Sequence, residues 1–128
     1  MNSESNEKVT SQDKMHTDAC RRKVRAKIWL VSANDDYIGH GRIELLENIV
    51  KVGSISRAAK EMNMSYKKSW KLIEGLNSMF EQPLVIKEKG GKQGGGAVVT
   101  ERGLQVIKEF RRLELELMEF LATRKIDI

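Results

Sequence analysis

The chain has 128 residues, of which 40% are hydrophobic and 32% charged, and carries a formal net charge of +5. That length supports one compact domain around one core, and the positive balance favours polyanionic partners, either nucleic acid or an anionic membrane surface. Cys20 is the only cysteine, which excludes an internal disulfide and a zinc constellation of the CxxC kind. No apolar run approaches the roughly 18–20 residues that span a bilayer, and residues 1–19 lack the apolar stretch of a secretory signal. The expectation is a soluble, cytoplasmic protein with no membrane partner.

Residues 1–21 are polar, mixed in charge and aperiodic, and read as a disordered tail in which His16 is solvated. Over 24–31, apolar residues alternate with Arg25 and Lys27, the period of a half-buried strand. Asn34, Asp35 and Asp36 supply turn chemistry, and residues 37–39 return as a short antiparallel partner. From Gly41 the period becomes helical: Ile43, Leu46, Ile49 and Val50 share a face, His40 caps the helix or faces solvent, and Gly53 ends it. A short helix follows from Ser54, with Ile55, Ala58, Ala59 and Met62 on one side. Asn63 sits where the connection needs an unusual backbone angle, and Ser65 caps a longer helix whose apolar face is Tyr66, Trp70, Ile73, Leu76 and Phe80. Pro83 prevents its continuation. Residues 84–88 and 97–99 are short strands on either side of a glycine-rich loop, and Thr100 caps a long terminal helix.

Two features together carry the functional argument. The pair of helices over 54–80, with Ala58 and Ala59 permitting close approach, has the build of a helix-turn-helix, in which the first helix braces the second for entry into a major groove. The second helix offers Lys67, Lys68 and Lys71 to solvent, with Ser65, Tyr66 and Ser69 near its N-terminal end; lysines neutralise phosphates, and hydroxyls reach phosphates or base edges. Ser54, Ser56 and Arg57 at the start of the first helix join this set. The glycine loop lacks the GxxxxGK followed by Ser or Thr of a phosphate-binding nucleotide loop, since Lys92 precedes Gln93 and a strand follows. It reads instead as the tip of a two-stranded wing, with Lys87, Lys89 and Lys92 for charge and Gly91, Gly94 and Gly95 for close backbone approach to the sugar-phosphate chain. Residues 51–92 hold nine basic and four acidic residues, a net +5, whereas the terminal helix carries Glu109, Glu114, Glu116 and Glu119.

In that terminal helix Val106, Phe110, Leu113, Leu117 and Phe120 recur in steps of four and three, the spacing of a coiled-coil seam. Leu104, Ile107, Leu115, Met118 and Leu121 widen the apolar surface beyond one stripe. Homodimerisation is the simplest cover for it, with the strand at 24–31 as a further contributor; a helix lying across its own core is the alternative.

Residues 53–59 (GSISRAA), 64–67 (MSYK), Trp70, 83–85 (PLV), Gly90-Gly91-Lys92, Gly94 to Ala97, and Leu104 after Thr100 resemble the DNA-binding half of ModE-type molybdate-responsive regulators and, more distantly, the N-terminal domains of LysR-type regulators. The resemblance covers about 42–113. It implies a dimeric winged helix that reads an operator palindrome, with the helix at 65–80 in the major groove and Ser65, Tyr66, Lys67 and the wing at 90–96 as DNA contacts. Members that sense molybdate carry oxyanion-binding domains after the helix; the sequence here runs to Ile128, so no molybdate site of its own is expected.

The fold expected is mainly α with a small β component: a tail at 1–21, a strand hairpin plus winged helix-turn-helix at 22–99, and a dimerisation helix at 100–128. The function expected is a sequence-specific, double-stranded-DNA-binding transcriptional regulator of molybdate-transport or other molybdenum-related genes. It is not an enzyme on this reading, and needs no cofactor or metal. The alternative is a protein-interaction module that dimerises through the terminal helix without binding DNA.

Overall fold

The computed structural model describes residues 23–88 and 96–128. The tail expected at 1–21, with His16 and Cys20, and the wing residues Lys89, Gly91, Lys92, Gly94 and Gly95 lie outside the described residues.

Strand β1 (Leu30–Val31) pairs antiparallel with β2 (Tyr37–Ile38), Leu30 opposite Ile38 and Val31 opposite Tyr37. The connection closes through Ser32 N–H to the Asp36 carbonyl at 2.8 Å, and Asp35 takes the left-handed φ of 67° that its short side chain tolerates. The strand expected over 24–31 is thus only its last two residues. Its partner ends at Ile38, one residue before a helix begins, so residues 24–29 have no strand to pair with and run without regular secondary structure, mostly exposed. The inward half of the alternation survives at Ile28 and Leu30, which pack on the core, while Trp29 stays half exposed.

Helix α1 (His40–Val52) buries Ile43, Leu45, Leu46 and Ile49. The inward face therefore turns one residue back from the expected one: Leu45 is fully buried and Val50 is exposed. Gly53 ends the helix at φ 67°, its N–H returning to the Ile49 carbonyl, a conformation that disfavours any residue with a Cβ. Helix α2 (Ile55–Glu61) starts from Ser54, whose Oγ accepts the Arg57 N–H, and buries Ile55, Ala58 and Ala59. Asn63, at φ 55°, makes the turn, and the Met64 N–H reaches back to the Ala59 carbonyl at 3.0 Å. Helix α3 (Tyr66–Ser78) is capped by Ser65 Oγ accepting from Lys68 N–H, and buries Ser69, Ile73 and Leu76 at i, i+4 and i+7.

Strands β3 (Val85–Lys87) and β4 (Ala97–Val99) form an antiparallel hairpin with Val85 opposite Val99 and Lys87 opposite Ala97. Its loop end is tied to the α1–α2 junction by the Ala97 N–H on the Gly53 carbonyl at 3.1 Å and by a bridge between Ser54 and Gly96. Helix α4 (Glu101–Ala122) follows, with Thr100 Oγ1 capping the Gly103 N–H. Its first turn presses on the hairpin: a Cβ on Gly103 would lie 2.5 Å from the Leu84 carbonyl oxygen.

The order helix, turn, helix, hairpin, helix, mainly α with a small β component, is the winged helix-turn-helix arrangement expected. The core joins four helices and the hairpin: Ile43, Leu46 and Ile49 from α1, Ile55 and Ala58 from α2, Ile73 and Leu76 from α3, Leu84, Val85 and Val99 from the hairpin, and Val106 and Phe110 from α4. Each such side chain removed from water contributes roughly 1.5–3 kcal/mol, less for alanine. The first half of α4 is thereby part of this core, and no break in packing marks the junction at 99/100. Val106 (7% exposed) and Phe110 (0%) cannot serve an intermolecular seam, because the protein's own core already occupies them. Further along, Leu113, Leu115, Met118 and Phe120 are exposed and Leu117 is half-buried.

Candidate nucleic-acid interface

Successive residues of an α-helix are rotated by about 100°, and the buried positions of α3 fix what its other sides meet. With Ser69, Ile73 and Leu76 inward, Lys67, Lys71 and Ser78 point directly away from the core. Tyr66, Trp70 and Asn77 occupy one flank; Lys68 and Leu72 occupy the other. Lys67, Lys68 and Lys71 are all exposed. The first flank is bound to the hairpin by polar contacts. Asn77 Oδ1 accepts the N–H groups of Leu84 (2.8 Å) and Val85 (3.1 Å), and its Nδ2 donates to the Val85 carbonyl (2.9 Å). The Lys87 ammonium stacks over the Trp70 ring at 4.0 Å and stands 5.9 Å from that of Tyr66. The hairpin is thus held at a set angle beside the exposed face of α3.

Most of the residues expected at the interface that fall among the described ones are exposed. Ser65 and Tyr66 are exposed at the start of α3, although Ser65 Oγ is engaged as the cap. Ser56 and Arg57 are exposed on α2, with Ser56 Oγ 3.1 Å from Ser54 Oγ, and Ser54 itself is half-buried. Ser69 is a correction: it is 0% exposed and its Oγ donates to the Tyr66 carbonyl at 2.7 Å, so it is a packed helix residue with its hydroxyl turned inward. The near-N-terminal position suggested access, but its place in line with Ile73 and Leu76 directs it inward. Lys87 is displaced from its expected role at the wing tip to a stack on Trp70, still exposed.

Asn77 was not singled out in the sequence. A polar residue on a helix carries no signal that distinguishes it from a solvated one; only its placement about two turns beyond Trp70, on the same flank, hints at the contact.

Charge pairing separates the two ends of the molecule. On α4, Arg111 donates to Glu47 of α1 at 2.6 and 2.9 Å and to Glu114 at 2.6 Å, with His40 Nδ1 at 3.2 Å. Arg112 bridges Glu109 and Glu116. The hydrogen bond from Arg111 holds the Glu47 carboxyl below its ordinary range, and that from Arg112 does the same for Glu109. The acidic character expected of the terminal helix is therefore largely met by its own arginines. Among the described residues, Lys67, Lys68, Lys71, Lys87 and Arg57 have no carboxylate within ion-pair distance, and their charge stays available to a phosphate. No described cluster of His, Cys, Asp or Glu has the makings of a metal site, and no described helix is long and apolar enough to cross a membrane.

Curated proteins and a family model match this chain. The chain is similar to the molybdenum transport protein ModE of Azotobacter vinelandii, 45% identical over 75 residues that cover 59% of this chain and 28% of that protein. It is similar to the molybdenum-pterin-binding protein MopA of Rhodobacter capsulatus, 45% identical over 89 residues, 70% of this chain and 34% of the relative. The DNA-binding transcriptional dual regulator ModE of Escherichia coli K12 is 46% identical over 67 residues, 52% and 26% of the respective chains. The chain spans about a quarter to a third of the length of these curated relatives. The family model for the bacterial regulatory helix-turn-helix protein, lysR family, matches residues 40–104, from the first residue of α1 through the first turn of α4. With the helical pair, its capped turn and the hairpin all inside that match, the chain belongs to the lysR family of bacterial regulatory helix-turn-helix proteins.

Proposed function

We propose that the protein is a transcriptional regulator that binds double-stranded DNA sequence-specifically as a homodimer and acts on molybdate-transport or other molybdenum-related genes. The observation that carries this reading is the outward face of α3, where Lys67 and Lys71 are exposed and without a carboxylate partner among the described residues. A helix of about 10–12 Å diameter fits a major groove about 12 Å wide. In that pose Lys67 and Lys71, with Lys68, Arg57 and Lys87 on either side, meet phosphates or base edges. Ser65, Tyr66 and Ser56 supply hydroxyls near the groove floor, and the sequence adds Lys89, Lys92 and the glycines at 91, 94 and 95 as further candidate contacts. The molybdenum connection rests on the relatives' names, which describe a molybdenum transport protein and a transcriptional regulator.

The exposed Leu113, Leu115, Met118 and Phe120 support association of two copies through the distal half of α4. Two copies related by a two-fold axis match two half-sites about one DNA turn apart.

The test is a salt series on duplexes that the protein itself enriches from a randomised pool. With about six phosphates neutralised, log affinity falls against log salt with a slope near −5, and Lys67→Ala/Lys71→Ala makes it shallower. Equal, salt-insensitive binding by both proteins contradicts the proposal. A tight dimer with no affinity for DNA would point to the interaction module instead.

A further inference from the structure

On the flank of α3 opposite the hairpin lies a surface groove of about 610 Å³. The irregular segment before β1 lines it with Lys27 and Trp29. Met64 and Lys68, from the turn and first helical turns of the helix-turn-helix, line it as well. Lys27 is exposed, and the want of a strand partner over 24–29 leaves its side chain free of any sheet. Arg42 adds a third cation to the lining, its guanidinium 4.5 Å over the Tyr37 ring. The one carboxylate there, Glu114, is already bound by Arg111 at 2.6 Å. The groove therefore carries a net positive charge among apolar side chains, and it opens beside the N-terminal half of the helix assigned to the major groove.

A helix seated in the major groove has a sugar-phosphate chain on each side, since the groove is about as wide as the helix. The hairpin, held by Asn77 and by Lys87 on Trp70, stands on one side of α3. Lys27 and Lys68 stand on the other. We infer that Lys27, on the arm before β1, pairs with Lys68 to clamp a backbone phosphate of the DNA strand on the side of α3 away from the wing. This rests on the DNA-binding reading above and adds a contact from outside the helix-turn-helix. It makes the arm a positioning element: by holding one strand while the wing holds the other, it sets how α3 lies in the groove.

The full chain is assayed on its enriched duplexes as wild type, Lys27→Ala, Lys27→Arg and Lys67→Ala/Lys71→Ala. Loss of one phosphate contact makes the log–log salt slope shallower by about 0.9 per subunit and weakens binding about fivefold per subunit near 0.15 M salt. Lys27→Ala is expected to show both, equally on enriched and scrambled duplexes, because a phosphate contact carries no sequence information. Lys27→Arg keeps the wild-type slope. Hydroxyl-radical footprints of the Lys27→Ala complex lose backbone protection on one edge of each half-site and retain the rest. A Lys27→Ala slope equal to wild type, while Lys67→Ala/Lys71→Ala is shallower, overturns this inference and leaves the DNA-binding reading standing. Absence of salt-dependent binding by the wild type overturns both.

Discussion

Asn77→Ala tests how the hairpin is fixed to α3. The asparagine amide makes three hydrogen bonds to the backbone of Leu84 and Val85, at 2.8, 3.1 and 2.9 Å. Those two residues are 0% and 2% exposed, so their N–H groups have little access to water once the amide is gone. An unsatisfied buried backbone group costs about 1–3 kcal/mol. The three contacts share one side chain, and water can enter from the half-exposed side of Asn77, so the net loss is about 3 kcal/mol and below the simple sum. Asn77→Asp keeps the acceptor for both N–H groups and loses the donor, while setting a carboxylate against the Val85 carbonyl; it is expected to lose about 1–2 kcal/mol. Urea unfolding at fixed protomer concentration measures both, so that any self-association affects all the proteins alike. The expected order is wild type, then Asp, then Ala. An Ala variant within about 0.5 kcal/mol of wild type, or an Asp variant below it, refutes the argument that this amide seats the strand.

Other substitutions separate the two halves of α4. Phe110→Ala opens a cavity in the core and costs about 3–5 kcal/mol, whereas Phe120→Glu leaves the fold intact and shifts the protein toward monomer by sedimentation equilibrium; a Phe120→Glu protein that keeps the dimer mass removes the distal half of α4 from the interface. The clamp between α1 and α4 gives a pH dependence. Arg111 depresses the Glu47 carboxyl from its ordinary value of 4.5, so the pair stabilises the fold above that pH and the contribution disappears as pH falls through the lowered value. Both side chains are about one-third exposed, so the effect is small. The gap in unfolding midpoint between wild type and Glu47→Gln is expected near neutrality and closes in acid; an unchanged gap in acid contradicts the linkage.

What the sequence displayed best was local chemistry. Gly53 and Asn63 declare left-handed backbone, and Ser54, Ser65 and Thr100 declare helix starts, because each acts on residues within one turn of itself; all five play the expected part. Facing was legible wherever a short helix had one apolar stripe, as for Ile55, Ala58 and Ala59. It was lost where the deciding neighbour is distant in the chain. The spacing of Val106 and Phe110 is the same whether a second copy or the protein's own α1 covers them, and only the three-dimensional packing chooses α1. Alternation over 24–31 shows which side chains turn inward but not whether a strand exists to pair with. For the candidate interface, Lys67, Lys68 and Lys71 were visible as a face, while Ser69 was misread by proximity to the helix start. Asn77, the Lys87–Trp70 stack and the arm at Lys27 depend on contacts that no local pattern encodes.

The central claim is that α3 lies in a major groove, and methylation of guanine N7 by dimethyl sulfate reads that groove directly. On an enriched duplex the account predicts protection of guanines in two half-sites about 10 base pairs apart, lost in the Lys67→Ala/Lys71→Ala protein. A duplex fully bound by the wild type yet with every guanine as reactive as in free DNA would contradict it.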